Sequence, residues 1–396
     1  MTRILFLCHR YMDVTRGGLA EFLHFLPVAL KHYTLDSIIY TPPENKMIAH
    51  LMGPHMLPNN IPHYTGPLLK PRFFITKHAL SPLLQLCKKE KINIVHAQGT
   101  YRAGFAAMHI YKQLGIPYVV TSHSDILPSN SKRMRAYRIY NRCRKILETA
   151  HFITHLSPLM AKASEEIYSA PTKSKMIHNG IDVDAWEDYL NLPEYDYLLA
   201  IGRLEPEKGF NILIDAYAQL VKQGMRTSLI IAGTGSIEHL LQQQAKDYGL
   251  TLITTCSNVS SLPKQSVIFT GYVKNPIKKR LFAHAKLILF ATQAKQWMEP
   301  FGIVQLEAMA AGKALIASNI PIVHYLQSLG LQTKLVDSEN ITGWVNAISQ
   351  LIENENLRYN MGKSNREAVK KFAWDDIAKE YAEIYQHLNA PDFKFR

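Results

Sequence analysis

Short apolar runs alternate with helix-length stretches along most of the chain. In the first half the runs fall at 3–9, 36–41, 93–98, 117–123, 151–157 and 175–180. After an acidic, Pro-containing stretch at 186–196 the pattern restarts, with runs at 197–204, 227–233, 266–272, 286–292, 314–318 and 333–336. Runs with this spacing indicate βαβ units around parallel sheets. The pattern therefore predicts an α/β protein with two doubly wound halves.

The restart of the pattern sets the predicted domain boundaries. Residues 1–190 are predicted to form one domain and 191–372 a second, and an amphipathic helix follows within 373–396. The Pro-rich region 41–71 is expected to be a long irregular excursion that serves as a lid or a binding loop. Because ligands bind beyond the carboxyl ends of parallel strands, we expect the active site in a cleft between the two halves.

The composition is that of an ordinary globular protein, since 47% of the 396 residues are apolar and 19% are charged. No run approaches the ~18 consecutive apolar residues of a membrane span. The four cysteines, Cys8, Cys87, Cys143 and Cys256, are far apart and form no C-x-x-C pair. This favours a reducing compartment over a zinc or disulfide framework. We therefore expect a cytoplasmic protein.

Positive charge is concentrated in the first half. Residues 1–190 contain 23 Lys or Arg and 13 Asp or Glu, a net charge of +10 out of +13 for the chain. Within 131–150, one helical stripe is basic (Arg135, Arg138, Arg142 and Lys145) and another is apolar (Ile139, Cys143, Ile146 and Ala150). Such a helix suits an anionic membrane surface, on the inner face of the membrane, but also a charged soluble acceptor or a solvated face.

The most informative stretch is EPFGIVQLEAMAAG, residues 299–312, which follows the apolar run 286–292. It predicts a helix that begins near Phe301 or Gly302 and stops at Gly312. Glu299 and Glu307 are eight positions apart, roughly 80° around a helix, so both carboxylates can border one cleft. Backbone N–H groups at the helix N-terminus favour a phosphate. The alternative is a capping Glu299 and a solvated Glu307.

Other candidate residues follow predicted strands. Arg203 and Lys208 share the loop GRLEPEKGF, where a guanidinium and an ammonium suit a diphosphate. His123 ends the run at 117–123 and suits a sugar, although an ordinary loop histidine is an alternative. Glycine-rich turns follow three more runs, and each is a weak signal that could be a simple turn. They contain Gly17 and Gly18, then Gly233 and Gly235, then Gly271 with Tyr272.

These motifs occur in the order of a known family. The chain resembles the retaining nucleotide-sugar glycosyltransferases of family 4 (glycosyltransferases group 1). That family has the GT-B fold, two Rossmann-like parallel-sheet domains facing each other across a cleft. The match covers nearly the whole chain. It rests on Gly17-Gly18, His123, HNGID (178–182), GRLEPEKG (202–209), AGTG (232–235), FTGYV (269–273) and EPFGIVQLEAMAAG (299–312).

The resemblance implies a role for each matched residue. The second half would bind the nucleotide sugar and the first half the acceptor, with the C-terminal helix packed on the N-terminal domain. Arg203 and Lys208 would hold the diphosphate, Glu299 the sugar hydroxyls and Glu307 the ribose. The other residues would contact or flank the donor: His123, Gly17, Gly18, Gly233, Gly235, Gly271, Tyr272, Phe301, Gly302 and Ile303.

The implied reaction moves a sugar from a UDP-sugar or GDP-sugar to a glycan or lipid-linked acceptor, as in cell-envelope polysaccharide or glycolipid assembly. Anomeric configuration would be retained by attack on the face of the leaving group. No metal or other cofactor is expected, because cations and a helix N-terminus can stabilise the charge that develops on the diphosphate. The only Asp-x-Asp, Asp182 to Asp184, lies apart from the phosphate motifs.

Two segments depart from the family pattern. The segment 318–326 lacks the glycine pair and the glutamate that often follow this strand, and has Tyr325 near the acidic position. The loop 293–298 is longer and more basic than usual. Three other functions stay open here: a nucleotide-sugar epimerase on the same fold, an inactive nucleotide-sugar-binding homologue and a nucleic-acid-binding protein. A pI near 9.4 suggests the last, but no nucleic-acid motif supports it.

Overall fold

The computed structural model describes residues 2–8, 17–42, 51–67, 77–128, 131–254, 262–293 and 298–390. It divides the chain into two compact units, Met1–Gly180 with Phe372–Arg396, and Ile181–Lys371. The first unit ends at Gly180 rather than at the predicted residue 190. The reason is that the 3₁₀ helix Asp184–Tyr189 packs against the second unit, with Trp186 buried edge-on to Phe282 at 5.6 Å between ring centroids.

The first unit is built on an eight-stranded sheet with the order β3-β4-β2-β1-β5-β6-β7-β8. The strands are β1 (Thr2–Cys8), β2 (Leu35–Thr41), β3 (Met52–Met56), β4 (Pro62–Thr65), β5 (Ile94–Gln98), β6 (Tyr118–Ser122), β7 (Phe152–His155) and β8 (Ser174–Met176). All neighbours pair in parallel except β3, which is antiparallel to β4. The central strand β1 is buried on both faces from Ile4 to Cys8, which explains its continuous apolar sequence.

Helices cover this sheet in the alternation expected of βαβ units. They are α1 (Gly18–Ala29), α2 (Lys77–Lys89), α3 (Arg102–Leu114), α4 (Tyr137–Thr149) and α5 (Pro158–Glu165). Sequence signals account for their ends: Ser157 caps α5 by accepting the N–H of Met160 at 3.4 Å, and Pro158 takes the first helical position.

The second unit has a seven-stranded sheet with the order β11-β12-β10-β9-β13-β14-β15, and its neighbours pair in parallel. Its strands are β9 (Tyr197–Ile201), β10 (Ser228–Ala232), β11 (Thr251–Ile253), β12 (Ser266–Gly271), β13 (Leu287–Phe290), β14 (Leu315–Ser318) and β15 (Thr333–Val336). Its helices are α6 (Phe210–Lys222), α7 (Glu238–Asp247), α8 (Ile277–His284), α9 (Ile303–Ala310), α10 (Pro321–Ser328), α11 (Ile341–Glu353) and α12 (Glu355–Ala368).

The C-terminal helix α13 (Trp374–Leu388) belongs to the first unit. Its apolar face, which includes Trp374 and Tyr381, is buried in the same cluster as Phe6 and Phe22. A buried hydrogen bond joins this helix to the sheet, since the Tyr385 hydroxyl lies 2.6 Å from Nδ1 of His96 on β5. Helix α13 is therefore part of the core of the first unit.

The apolar runs predicted strands well, and the α/β fold with two parallel-sheet domains is confirmed. All twelve runs contain a strand. The expectation of irregular chain at 41–71 is wrong for the described residues 51–67, which hold β3 and β4 at the sheet edge. Strand β11 was also missed. These three strands are short or interrupted by Gly and Pro, so they lack an apolar run. Residues 43–50 and 68–71 of that region lie outside the described residues.

Candidate functional site

In the second unit, the predicted anion-binding motifs lie at the point where the strand order reverses. From β9 the chain moves through β10 towards one sheet edge, and from β13 it moves towards the other. Ligands of open α/β sheets bind outside the carboxyl ends of strands at this switch point. Arg203 and Lys208 follow β9, and Glu299 precedes α9 after β13. The topology thus brings together motifs that are about ninety residues apart in sequence.

Lys208 and Glu299 form an ion pair at this switch point, with Nζ donating to Oε2. Only 17% of the lysine side chain and 11% of the glutamate side chain are exposed. The two loops are tied together beneath the pair, because the N–H of Gln293 donates to the carbonyl of Glu207 at 2.8 Å. A low-dielectric site strengthens such a pair and makes the loss of either partner costly.

Gly209 makes the close approach of these loops possible. Its φ is +69°, a left-handed conformation, and a Cβ there would lie 2.1 Å from the carbonyl oxygen of Ala291. A side chain at this position would therefore push apart the loops that carry Lys208 and Glu299.

Arg203 is positioned differently, since 61% of its side chain is exposed. Its guanidinium lies 3.4 Å from Glu207 Oε1, a surface pair of little energetic weight. An exposed guanidinium on this loop can turn towards an incoming anion at small cost.

The second predicted carboxylate, Glu307, is paired with a lysine that the sequence analysis missed. Lys278 Nζ lies 2.6 Å from Glu307 Oε1, and 17% and 8% of the two side chains are exposed. Lys278 is at the start of α8, which follows the FTGYV turn at the end of β12. The sequence did contain a signal for Lys278, namely its position in the first helical turn after a predicted strand. Glu307 is buried rather than solvated, so the solvated alternative is wrong.

Helix α9 presents its N-terminus at the same end of the sheet. It begins at Ile303 after Gly302, which has φ +79°, and Gly312 with φ +62° ends it. Phe301 is buried just before the helix. No side chain caps this terminus among the described residues, and the first-turn N–H groups of a helix have no intrahelical acceptor. Such a terminus can bind an anion.

Gly233 and Gly235 are explained by packing inside the protein. A Cβ at Gly233 would lie 1.8 Å from the carbonyl oxygen of Gly202, and one at Gly235 would lie 2.2 Å from that of Leu204. Backbone bonds join the same turns, with Leu204 N–H donating to Thr234 O at 3.0 Å. These glycines let the Arg203 turn rest directly on the next turn, and this packing requires no ligand.

Hydrogen bonds accepted by Gly271 and Glu205 also hold these turns in place. Gly271 has φ +66° and accepts the N–H of Gly233 at 2.8 Å, and Tyr272 beside it is half-buried. Glu205 accepts the Ser236 hydroxyl at 2.5 Å, and this hydrogen bond holds the pKa of Glu205 below its usual range.

The remaining candidates lie in the first unit. Gly17 has φ +83° and precedes α1, where Ala20 and Glu21 donate to its carbonyl, and Gly18 is the first residue of the helix. His123 directly follows β6; its Nε2 lies 2.8 Å from Gln98 Oε1, and its ring packs edge-on to buried Phe22. Gln98 ends the neighbouring strand β5, so a hydrogen bond across two strand ends fixes the His123 ring.

The basic segment 131–150 has its apolar stripe inside the protein. Helix α4 begins at Tyr137, and a 3₁₀ helix at Lys132–Arg135 precedes it, so Arg135 is not part of the α4 stripe. Cys143, Ile146 and Ala150 are fully buried in the core of the first unit. This stripe is therefore not available for insertion into a membrane. The face of α4 that is exposed to solvent includes Arg138 and Arg144, with Tyr137 at the start of the helix.

The described residues contain neither a cluster of metal ligands nor a membrane-spanning helix. Within the described ranges, no three His, Cys, Asp or Glu side chains are grouped so that they could hold a metal ion. Asp182 accepts the N–H of Ala185 at 3.2 Å in a turn. None of the helices described here is long and apolar enough to cross a membrane.

Two family models match the chain. The model described as glycosyl transferases group 1 matches residues 183–368, and the model described as glycosyltransferase family 4 matches residues 29–185. Together they span residues 29–368 and both units. The fold and these matches define a sugar-transferring enzyme of the GT-B type. The chain belongs to the glycosyltransferases of the group 1 and family 4 type.

Individual relatives are distant. An uncharacterized glycosyltransferase of Methanocaldococcus jannaschii is 25% identical over 75% of this chain and 76% of its own length. A D-inositol 3-phosphate glycosyltransferase of a Nocardioides species is 26% identical over 70% of this chain and 63% of its own length.

Among solved structures, Anabaena HepE in complex with UDP has a TM-score of 0.74 at 20% identity, over 97% of this chain and 99% of that one. The same protein in complex with UDP-glucose has a TM-score of 0.72 at 18% identity, with the same coverage. At this identity the likeness shows a shared fold.

Proposed function

We propose that this glycosyltransferase moves a sugar from a nucleoside-diphosphate sugar to a glycan or lipid-linked acceptor with retention of anomeric configuration. The observation that carries the proposal is the Lys208–Glu299 pair at the switch point of the second sheet, beside the N-terminus of α9. A cation for phosphate and a carboxylate for hydroxyls, held in contact, match a ligand that has phosphates next to a sugar. The complex of HepE with UDP-glucose makes a uridine nucleotide the first donor to test.

Transfer breaks the bond between the anomeric carbon and the β-phosphate oxygen, so negative charge grows on the diphosphate. Lys208, Arg203 and the N–H groups at the start of α9 are proposed to stabilise that charge without a metal ion. Lys208 is held before the reaction by its pair with Glu299 and by the loop packing around Gly209, which lowers the cost of reorganisation. Glu299 would hold hydroxyls of the donor sugar, and Glu307, oriented by Lys278, the ribose.

The same-face route needs no protein nucleophile. The acceptor hydroxyl attacks the anomeric carbon on the face that the phosphate leaves, and its proton passes to the departing phosphate oxygen. We therefore assign Glu299 as a sugar-binding group rather than a covalent nucleophile, although a carboxylate can serve as one in double displacement.

The acceptor is proposed to bind the first unit, where His123 directly follows β6 and Gly17-Gly18 begin α1. The net charge of +10 over residues 1–190 favours an anionic acceptor or an anionic membrane surface that carries one. With the apolar stripe of α4 buried, attachment to a membrane would rest on the exposed basic face.

Thermal shift with UDP, GDP, ADP and their common sugars tests the donor site. A nucleotide at 100 times its dissociation constant should stabilise the protein by about 2.7 kcal/mol. Arg203→Ala should lose most of that shift, whereas Lys246→Ala, which removes an exposed cation from α7, should keep it.

The reaction itself is tested by product analysis. Incubation with the stabilising donor and candidate acceptors should give a glycoside with the donor's anomeric configuration, read by NMR. Epimer interconversion without transfer would favour the epimerase alternative. No stabilisation by any nucleotide would remove the basis of the proposal.

A further inference from the structure

Gln305, the third residue of α9, is a buried polar side chain with no hydrogen bonds. Its exposed fraction is 0%, and neither Nε2 nor Oε1 has a partner among the residues the structure describes. A carboxamide has two N–H donors and a carbonyl acceptor, so several hydrogen bonds are left unmade. Buried polar groups in native proteins are nearly always paired, and an exception calls for a physical reason.

The position of the carboxamide gives that reason. A Cβ on Gly302 would lie 3.2 Å from Gln305 Cδ, 3.2 Å from Nε2 and 3.3 Å from Oε1. Three nearly equal distances mean that the carboxamide lies flat against the inner side of Gly302. Gly302 is the left-handed residue at the start of α9, directly beside the N–H groups assigned to the anion. Gln305 therefore lies directly beneath the turn proposed to bind the donor.

A second unpaired group lies in the same segment of chain. Thr292 is two residues past the end of β13; its exposed fraction is 1%, and its Oγ1 has no partner within the described ranges. Thr292 and Gln305 thus bracket the chain that carries Glu299, and both have unused hydrogen-bonding capacity. The unmade hydrogen bonds at these two residues destabilise the ligand-free protein.

We propose that Gln305 is a positioning residue whose carboxamide gains its hydrogen bonds from the Phe301–Ile303 turn only when a nucleotide sugar is bound. The N–H and C=O of a trans peptide point in opposite directions. A peptide of this turn that directs its N–H outwards to a phosphate or sugar hydroxyl directs its carbonyl inwards. Rotation of the Gln305 carboxamide from face-on to edge-on would then let Nε2 donate to that carbonyl. Donor binding and pairing of the buried amide then favour each other.

This inference rests on the proposed function and predicts two changes of opposite sign for Gln305→Met. Met has a similar unbranched shape and no polar group to leave unpaired. The ligand-free variant should melt about 1–4 °C higher than the wild type, because a buried unpaired amide is removed. Its affinity for UDP or UDP-glucose should fall about tenfold, because one hydrogen bond of the bound turn is lost. A purely structural residue would not combine a gain of stability with a loss of affinity.

Thermal melts and calorimetric titrations of the wild type, Gln305→Met and Leu306→Met test this prediction. Leu306 is the next residue of α9 and is also fully buried, so Leu306→Met controls for a change in core packing and should keep the wild-type affinity. Wild-type affinity within twofold in Gln305→Met, or no gain in its melting temperature, would overturn the inference while leaving the donor site intact. A wild-type chain that binds no nucleotide or nucleotide sugar would overturn both.

Discussion

At the scale of single residues, the candidate site contains two lysine–carboxylate ion pairs. Glu299 and Glu307 would repel a diphosphate if they stood alone, and each is held by a lysine, Lys208 and Lys278. Pairing orients each carboxylate and offsets its charge. The carboxylates can then accept hydrogen bonds from hydroxyls next to bound phosphates.

The first prediction concerns the coupling of Lys208 with Glu299. Lys208→Met and Glu299→Gln should each abolish transfer and lower the free energy of unfolding by about 2–3 kcal/mol, since each leaves a largely buried group without its partner. The double variant should recover part of that stability and stay inactive. A double-mutant cycle of chemical denaturation and activity measures this. Additive losses in stability would show that the pair is not coupled in solution.

Residue-scale contacts were only partly predictable. The sequence supplied Lys208 and Glu299 as candidates because each stands in a specific motif. The sequence could not predict that Lys208 and Glu299 are in contact, because their contact depends on the strand order that places β9 beside β13. Lys278 was missed because a lysine in NPIKKR has no motif of its own. Gln305 was inside a recognised motif, but its lack of partners is a property of packing alone.

At the scale of elements, the site is a set of βα turns stacked on one another. The N–H of Gly202 donates to the carbonyl of Ala232, and the N–H of Gly233 donates to that of Gly271, so the ends of β9, β10 and β12 are joined. The sequence predicted glycine-rich turns at these places and left a ligand and a simple turn open as their cause. Gly233 and Gly235 are required because one turn packs closely on the next. The sequence of a single turn could not predict this packing.

The second prediction separates packing from ligand contact at Gly235. Gly235→Ala should lower the free energy of unfolding by at least about 2 kcal/mol more than Gly249→Ala, because only the first places a Cβ against a backbone carbonyl. Gly249 has φ +72° and open space around its Cβ position, so its substitution measures backbone strain alone. Chemical denaturation of both variants makes the comparison. Equal stabilities together with lost nucleotide binding in Gly235→Ala would instead support direct contact with the donor.

The third prediction concerns the exposed face of α4. If its basic residues attract an anionic surface, Arg138→Glu with Arg144→Glu should weaken binding to phosphatidylglycerol vesicles by about 30-fold or more, at about 1 kcal/mol per cation. Salt should weaken the wild-type interaction in the same direction. Vesicle co-sedimentation measures both, with Lys246→Glu plus Lys363→Glu, two exposed lysines of the second unit, as a charge-matched control. Unchanged partition of the double variant would assign this face to solvent or to a soluble acceptor.

At the scale of the whole molecule, the two units differ in charge and in their buried histidines. The first unit carries most of the positive charge and includes the C-terminal helix, so the chain crosses between the units twice. The alternation of apolar runs was sufficient to predict two parallel-sheet domains. The edge strands β3 and β4 could not be predicted because a half-exposed, Pro-containing segment has no clear periodicity.

The fourth prediction concerns acid stability. Burial lowers the pKa of several histidines of the first unit. It brings the pKa of His63, His151 and His155 to about 4 and lowers that of His96 well below its usual value. In the unfolded chain a histidine titrates near pH ~6.5. As pH falls below that value, the unfolded state takes up protons that the folded state does not, so stability should decrease from about pH 6.5 to about pH 4.

His63→Gln tests this reasoning. Gln can keep a hydrogen bond to the Thr41 hydroxyl, which lies 2.9 Å from His63 Nε2, and it does not titrate. The number of protons taken up on unfolding between pH 6.5 and 5 should fall by about one. Denaturation at a series of pH values gives this number from the slope of the unfolding free energy. An unchanged slope would mean that His63 is already protonated in the folded protein.

The most direct test of the account is a calorimetric titration of the wild type, Lys208→Met and Lys274→Met with the nucleotide that gives the largest thermal shift. We predict one site per chain, an affinity at least about tenfold weaker in Lys208→Met, and wild-type affinity in Lys274→Met, which removes an exposed cation one turn before Lys278. Equal affinities in all three proteins would contradict the assignment of the Lys208–Glu299 pair as the donor site.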